Sequence, residues 1–226
     1  MDRRLRIAFG PARRCWSGRL GAALSLLVLL AACDTVDSAG NLLSGRKPRP
    51  PDPATAQANR YEQALRYKAE GDCVRAMPLF EPFAASGKGN EVAQLQLGEC
   101  YLDRAKTAVP AESASKMRET GAGWILKAAN SNVPKAQEEA ARLALDGTGV
   151  AADPAEAGKW FLVLQRNPMR SVVGPVQIDP ELQQLLHERL SDADWRVAER
   201  RASQWQPVEQ AATPPPKKPQ RPADAR

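Results

Sequence analysis

Residues 124–160 read WILKAANSNVPKAQEEAARLALDGTGVAADPAEAGKW. Two Ala-rich segments with apolar residues at helical spacing flank a Gly147-x-Gly149 turn, and Trp124 and Trp160 stand 36 residues apart. Asp153 before Pro154 is an N-cap followed by proline at the first helical position. The stretch predicts two helices, near 134–146 and 154–166, with a third running up to about residue 131. A pair of short helices cannot bury its own apolar stripe, so a sequence written this way must stack one pair on the next.

Working outward, the period recurs. Ala64 and Gly98 are 34 residues apart, as are Tyr67 and Tyr101. In each pair the small residue lies three positions before the Tyr, on one helical face. A small residue there admits a neighbouring helix, and the Tyr fills the space one turn on. Ala93 and Ala136 are 43 apart, a period of 36 lengthened by seven, which places an insertion within DRAKTAVPAESASKMRETGA (103–122). Helices are predicted near 57–71, 73–86, 90–104, 116–131, 134–146 and 154–166. After Gly174 and Pro175, a further helix starts at Asp179 and Pro180 and carries Leu182, Leu185, Leu186 and Leu190. Ser191 or Asp192 caps a last one with Trp195, Ala198, Ala202 and Trp205. The expected fold is all-α, a short solenoid of stacked antiparallel helix pairs closed by a C-terminal helix pair. Aromatic residues at 5% and an Ala- and Leu-based apolar content argue against a β-sandwich or barrel.

These residues resemble the Sel-one-like repeats (SLR), relatives of the tetratricopeptide repeats. Ala93, Leu97, Gly98 and Tyr101 match the first helix of that motif, and Trp124, Lys127, Ala128 and Ala129 the second, with Asn132 where a Gly is usual. Ala136, Gly147, Gly149, Val150, Asp153, Ala157 and Trp160 keep the spacing onward, whereas Ala140, Ala141 and Ala144 replace the usual Leu, Gly and Tyr. The unit with Ala64, Tyr67, Gly71, Asp72, Ala76 and Phe80 looks more like a tetratricopeptide repeat. The resemblance covers about residues 57–167. It implies a scaffold or adaptor, with polar residues Gln94, Gln96 and Glu99 of a first helix lining a concave interaction face. The insertion near 104–118 is a second candidate surface.

The net charge of +6 is not a nucleic-acid footprint, because six of the 32 basic residues lie in the first 32 positions, against Asp2 alone. What remains is 26 basic against 25 acidic residues, and Lys217, Lys218, Arg221 and Arg226 of the tail account for four of the basic ones. Arg3, Arg4, Arg6, Arg13, Arg14 and Arg19 precede LGAALSLLVLLAA (20–32), a charged region followed by a thirteen-residue apolar run. A spanning helix needs roughly 20 such residues, so the run reads as a secretory signal over 1–32. Leu30, Ala31, Ala32 and Cys33 resemble the bacterial lipobox, which implies acylation of Cys33 and attachment to the bilayer from the periplasmic side. Each buried acyl CH₂ contributes about 0.8 kcal/mol, so two or three chains anchor firmly. Asp34 resembles the signal for staying in the inner membrane, with the outer membrane left open. Residues 33–53 read as the lipidated Cys and a flexible tether, 54–206 as the helical domain, and 207–226, with TPPPKKPQRPADAR, as a disordered basic Pro-rich tail. That tail is either a solvated end or a short ligand for a groove or an anionic surface.

Chemistry-bearing patterns are sparse. The chain has one histidine, His187, with no partner implied by spacing, which removes most His-based catalysis and His-rich metal sites. Ser113-x-x-Lys116 spells the nucleophile pattern of penicillin-binding enzymes, but its companion motifs are missing, and Gly147-x-Gly149 lacks the strand and third Gly or Lys of a phosphate loop. No catalytic residue, metal or cofactor is expected. With Cys15 lost with the signal and Cys33 lipidated, Cys73 and Cys100 remain; stacking brings their helix ends together, and a disulfide is favoured over two buried thiols in an oxidising periplasm. The reading is a membrane-anchored, periplasm-facing interaction protein whose partners are other envelope proteins and, through Cys33, the lipid bilayer. A cell-envelope enzyme or glycan-binding protein is the alternative, and the oligomeric state stays open.

Overall fold

A computed structural model describes residues 50–172 and 177–211. The signal, Cys33, Asp34 and most of the tether lie outside the described residues, as do residues 212–226. Within them the chain forms α1 (Pro53–Ala69), α2 (Cys73–Ser86), α3 (Glu91–Ala105), α4 (Ala111–Asn130), α5 (Pro134–Asp146), α6 (Pro154–Arg166), the single turn α7 (Met169–Val172), α8 (Pro180–Arg189) and α9 (Asp192–Gln204). Each of α1 to α6 packs on its neighbour in sequence, and α8 and α9 both pack on α6. This is the all-α stack of helix pairs that the period requires.

Four of the described helices, α1, α2, α6 and α8, begin where an aspartate satisfies the first free N–H groups. Asp52 accepts from Ala54 and Thr55, Asp72 from Arg75, Asp153 from Glu156 and Asp179 from Glu181. At Asp52, Asp153 and Asp179 the next residue is a proline, whose missing N–H costs nothing at the first helical position. Ser191 and Asp194 form a reciprocal capping box on α9. Gly147, at φ 68°, ends α5 in the left-handed region, where the absence of a Cβ removes the steric penalty.

Two apolar clusters run through the stack. One joins Ala64 of α1, Cys73, Ala76, Phe80 and Phe83 of α2, and Ala93, Leu97 and Cys100 of α3. The other joins Leu95 and Ile125 to the alanines of α4 and α5, Trp160 and Phe161 of α6, and Leu182, Leu186 and Leu190 at the far end. Between them α3 and α4 cross glycine on glycine: a Cβ built on Gly98 would stand 2.7 Å from the Gly121 carbonyl oxygen, and one on Gly121 2.8 Å from that of Gly98. Ion pairs Arg201–Asp153 at 2.8 Å and Arg189–Asp146 at 2.8 Å tie α9 and α8 to the preceding helices.

Two features differ from expectation. The insertion is not a surface loop: α4 starts at Ala111, so most of the extra residues extend a helix, leaving only a short connection around Val109 and Pro110. The stretch expected to be disordered from residue 207 is, up to residue 211, irregular but attached. Residues 205–211 turn back over the ends of α4 and α2, where Val208 N–H donates to Asn130 O at 2.7 Å and Lys88 meets Glu209 at 3.6 Å. Composition tests for buried apolar surface; Trp205 packs on Trp160, and beyond it the strap is held by hydrogen bonds.

Candidate functional site

The face proposed from the sequence lies on α3, where successive residues divide between core and surface. Gln96 and Glu99 are half-buried and both engage Lys68, which reaches over from α1. Glu99 also lines a cleft of about 350 Å³ with Leu102, Asp103, Arg118, Glu139 and Thr148, between α3, α4 and α5. This cleft carries both signs of charge, and Lys135 pairs with Glu139 at 3.1 Å on its α5 side.

Gln94 is not on that face. It is fully buried, a correction to its expected place in the concave surface. Its side-chain N–H donates to Ala84 O at 3.0 Å, near the end of α2, and so satisfies a carbonyl that the helix leaves free. Gln137, 43 residues later, does the same one unit on: it donates to Ala129 O at 3.3 Å near the end of α4. A glutamine in the first turn of one helix thus closes the end of the helix before it. Burial follows, because an amide with every polar atom engaged can be desolvated without the penalty of an orphaned group.

The second hydrogen bond of each glutamine comes from elsewhere. Gln137 accepts from the Asn167 side chain at 2.8 Å, and Asn167 also donates to Asn132 O at 3.1 Å. Gln94 pairs reciprocally with Gln210 of the strap, at 2.7 and 2.8 Å, and Gln210 donates also to Ser131 Oγ at 2.5 Å. Asn167, Ala129 and Gln210 carry no signal in a pattern of apolar residues. The repeated Ala-Gln dipeptide at 93–94 and 136–137 does, since a polar residue locked to the repeat period beside a core alanine marks a structural role.

Cys73, the first residue of α2, and Cys100 of α3 are joined as a disulfide with Cα atoms 5.1 Å apart. Trp160 is buried against Trp205, ring centroids 6.0 Å apart, with Lys159 Nζ 3.6 Å from its centroid. Trp124 is half-buried, at the edge of the first cluster. Ser113 and Lys116 lie in the first two turns of α4, half-buried and exposed respectively, and exposed His187 lies 5.5 Å from the Trp195 ring. Among the described residues no three His, Cys, Asp or Glu side chains are grouped to hold a metal. No described helix is long and apolar enough to cross a membrane.

No protein-family model matches the chain, and comparison with curated proteins gave no significant match. Among solved structures, c5321, a protective antigen present in uropathogenic Escherichia coli strains and displaying an SLR fold, superposes with a TM-score of 0.51 at 25% identity over 68% of this chain. The helical array is SLR-like. The match takes in 30% of c5321, so this chain spans less than a third of that protein. In the SLR-like array the glutamine junctions link consecutive helices, and the cleft beside Glu99 and Glu139 lies between α3 and α5.

Proposed function

We propose that the protein is an adaptor of the bacterial cell envelope, anchored by acylated Cys33 on the periplasmic side of the membrane, whose SLR-like array holds another envelope protein. The observation that carries this reading is the stack itself. Helix pairs stacked in succession offer a surface built from several elements, with an open cleft of about 350 Å³ beside Glu99, and such a surface suits a protein partner. The lipobox resemblance at Leu30–Cys33 supports the anchor, and the disulfide between Cys73 and Cys100 suits an oxidising compartment. Gln96, Glu99 and Glu139 are the residues assigned to the partner face.

Two experiments test the halves separately. Metabolic labelling with a fatty-acid analogue is expected to mark the protein and to fail with Cys33→Ala; labelling that survives the substitution overturns the anchor. Capture of envelope proteins on the purified protein is expected to lose its main partner when Gln96 and Glu139 are both replaced by lysine, with the circular dichroism unchanged. Neither side chain belongs to an apolar cluster, and a partly exposed hydrogen bond or ion pair contributes about 1 kcal/mol, so the fold is expected to survive both substitutions. An unchanged set of bound proteins removes the face from the proposal.

A further inference from the structure

Two equivalent junctions of the array are completed in different ways. Asn167, directly after α6, supplies the side-chain amide that Gln137 accepts. Ser131 holds the corresponding place directly after α4, and its short side chain bonds Lys127 O at 3.1 Å and Val208 O at 3.4 Å. The amide that Gln94 needs arrives from Gln210, 116 residues along the chain, and Gln210 bridges Gln94 and Ser131. The strap reaches this point in extended form. Trp205 donates its indole N–H to Asn130 Oδ1 at 3.4 Å, Val208 N–H reaches Asn130 O, and Ala211 O lies where a Cβ on Gly87 would be, 2.5 Å from it. Gly87 has φ 77°, so both its backbone and its bareness open this edge of the array.

We propose that the edge lined by Gly87, Gln94, Asn130 and Ser131 is a docking groove for an extended segment of a partner protein, and that residues 205–211 are its built-in, displaceable occupant. The strap sets out the chemistry that the groove reads: an aromatic residue, a main-chain N–H three positions on, and a carboxamide two further, as in Trp205, Val208 and Gln210. The main-chain bond gives register and the carboxamide gives selectivity, because it sets a donor and an acceptor side by side against the Gln94 amide, a match that a carboxylate or an ammonium group cannot make. A tethered occupant has an effective concentration in the millimolar range, so a partner segment of micromolar affinity is excluded until the strap lifts. The inference rests on the adaptor reading and says where and how a partner is gated.

The test uses the full chain and a fluorescent peptide of residues 204–212. In Val208→Pro/Gln210→Ala, which removes the strap's main-chain donor and its amide, the peptide is expected to bind about tenfold or more tighter than to the unaltered protein. The same peptide with alanine in place of Gln210 is expected to lose that gain. Equal affinities for the two proteins, or a peptide indifferent to the loss of its glutamine, overturn the proposal. Amide hydrogen exchange on the unaltered chain provides a second reading that needs no variant. Val208 is expected to exchange far faster than the core amides of α3 and α4, and exchange only by global unfolding overturns it. Failure here with envelope partners still captured through Gln96 and Glu139 leaves the adaptor reading standing; loss of all partners with peptide binding intact does the reverse.

Discussion

Alanine at two glycines of α4, Gly121 and Gly123, is expected to change stability in opposite directions. Gly123 is exposed, and a Cβ there meets nothing within 4 Å, so Gly123→Ala gains helix propensity alone, about 1 kcal/mol. Gly121 faces α3. Its Cβ would stand 2.8 Å from Gly98 O and 3.0 Å from both Leu102 Cδ2 and Tyr101 Cβ, closer than carbon approaches backbone oxygen without movement. The helices must part along the contact, an overpacking cost near the upper end of about 1–3 kcal/mol. Less the same propensity gain, Gly121→Ala loses about 2 kcal/mol, and Gly98→Ala, 2.6 Å from Ile125 Cγ1 and 2.7 Å from Gly121 O, loses a similar amount. The double variant is expected to lose less than the sum, since the first alanine has already moved the helices apart. Urea titration followed by far-ultraviolet circular dichroism measures all four. Gly121→Ala at or above the stability of Gly123→Ala would refute the close crossing of α3 and α4.

Three further outcomes follow from the same contacts. Replacing Cys73 and Cys100 together by alanine is expected to cost roughly 3–4 kcal/mol by loop-closure entropy, and added reductant should bring the unaltered protein towards the same midpoint and leave the variant's unmoved. Gln137→Ala removes the bonds it donates to Ala129 O and Asn132 Oδ1 and the acceptor of one Asn167 N–H, while Ala129 O keeps the Asn132 N–H and Asn167 keeps Asn132 O; it is expected to cost about 1–2 kcal/mol in thermal unfolding, whereas an exposed glutamine such as Gln183 should cost under about 0.5 kcal/mol. Burial raises the Asp153 carboxyl pKa, but the Arg201 guanidinium and the Glu156 N–H outweigh it and hold the pKa below the usual carboxylate value. A depressed native pKa stabilises the fold above the unfolded value of about 3.9, and that stability is lost as pH falls through the native one. Asp153→Asn should therefore flatten the stability curve below about pH 4; a curve as steep as that of the unaltered protein would show that the Arg201 pair contributes nothing to acid sensitivity.

Much of the array was legible in the chain. Asp-Pro at 153–154 and 179–180 marks two helix starts, because an accepting side chain before a residue without an N–H has one natural place in a helix; the same pair at 52–53 starts α1 four residues before the helix expected near 57, inside the stretch read as tether. The recurring interval between Ala64 and Gly98 marks the close contacts, and Gly98 lies at the crossing with α4. Periodicity says less about polar residues. Gln94 reads as a surface residue by type, and its burial depends on carbonyls at the end of another helix and on a side chain 116 positions away. The strap escaped notice for the same reason, since WQPVEQA has no apolar period and is held by amide pairing. The insertion merged into α4 because Glu112, Ser113 and Lys116 are tolerated in an exposed helical turn, so a break in the repeat period need not break the helix.

The adaptor account is tested most directly by crosslinking the tagged full-length protein in living cells, isolating the membranes and identifying the attached proteins by mass spectrometry. Cys33→Ala serves as the unanchored control. The account predicts one or two dominant envelope proteins, lost in the control; an anchored protein that crosslinks to no envelope protein would contradict it.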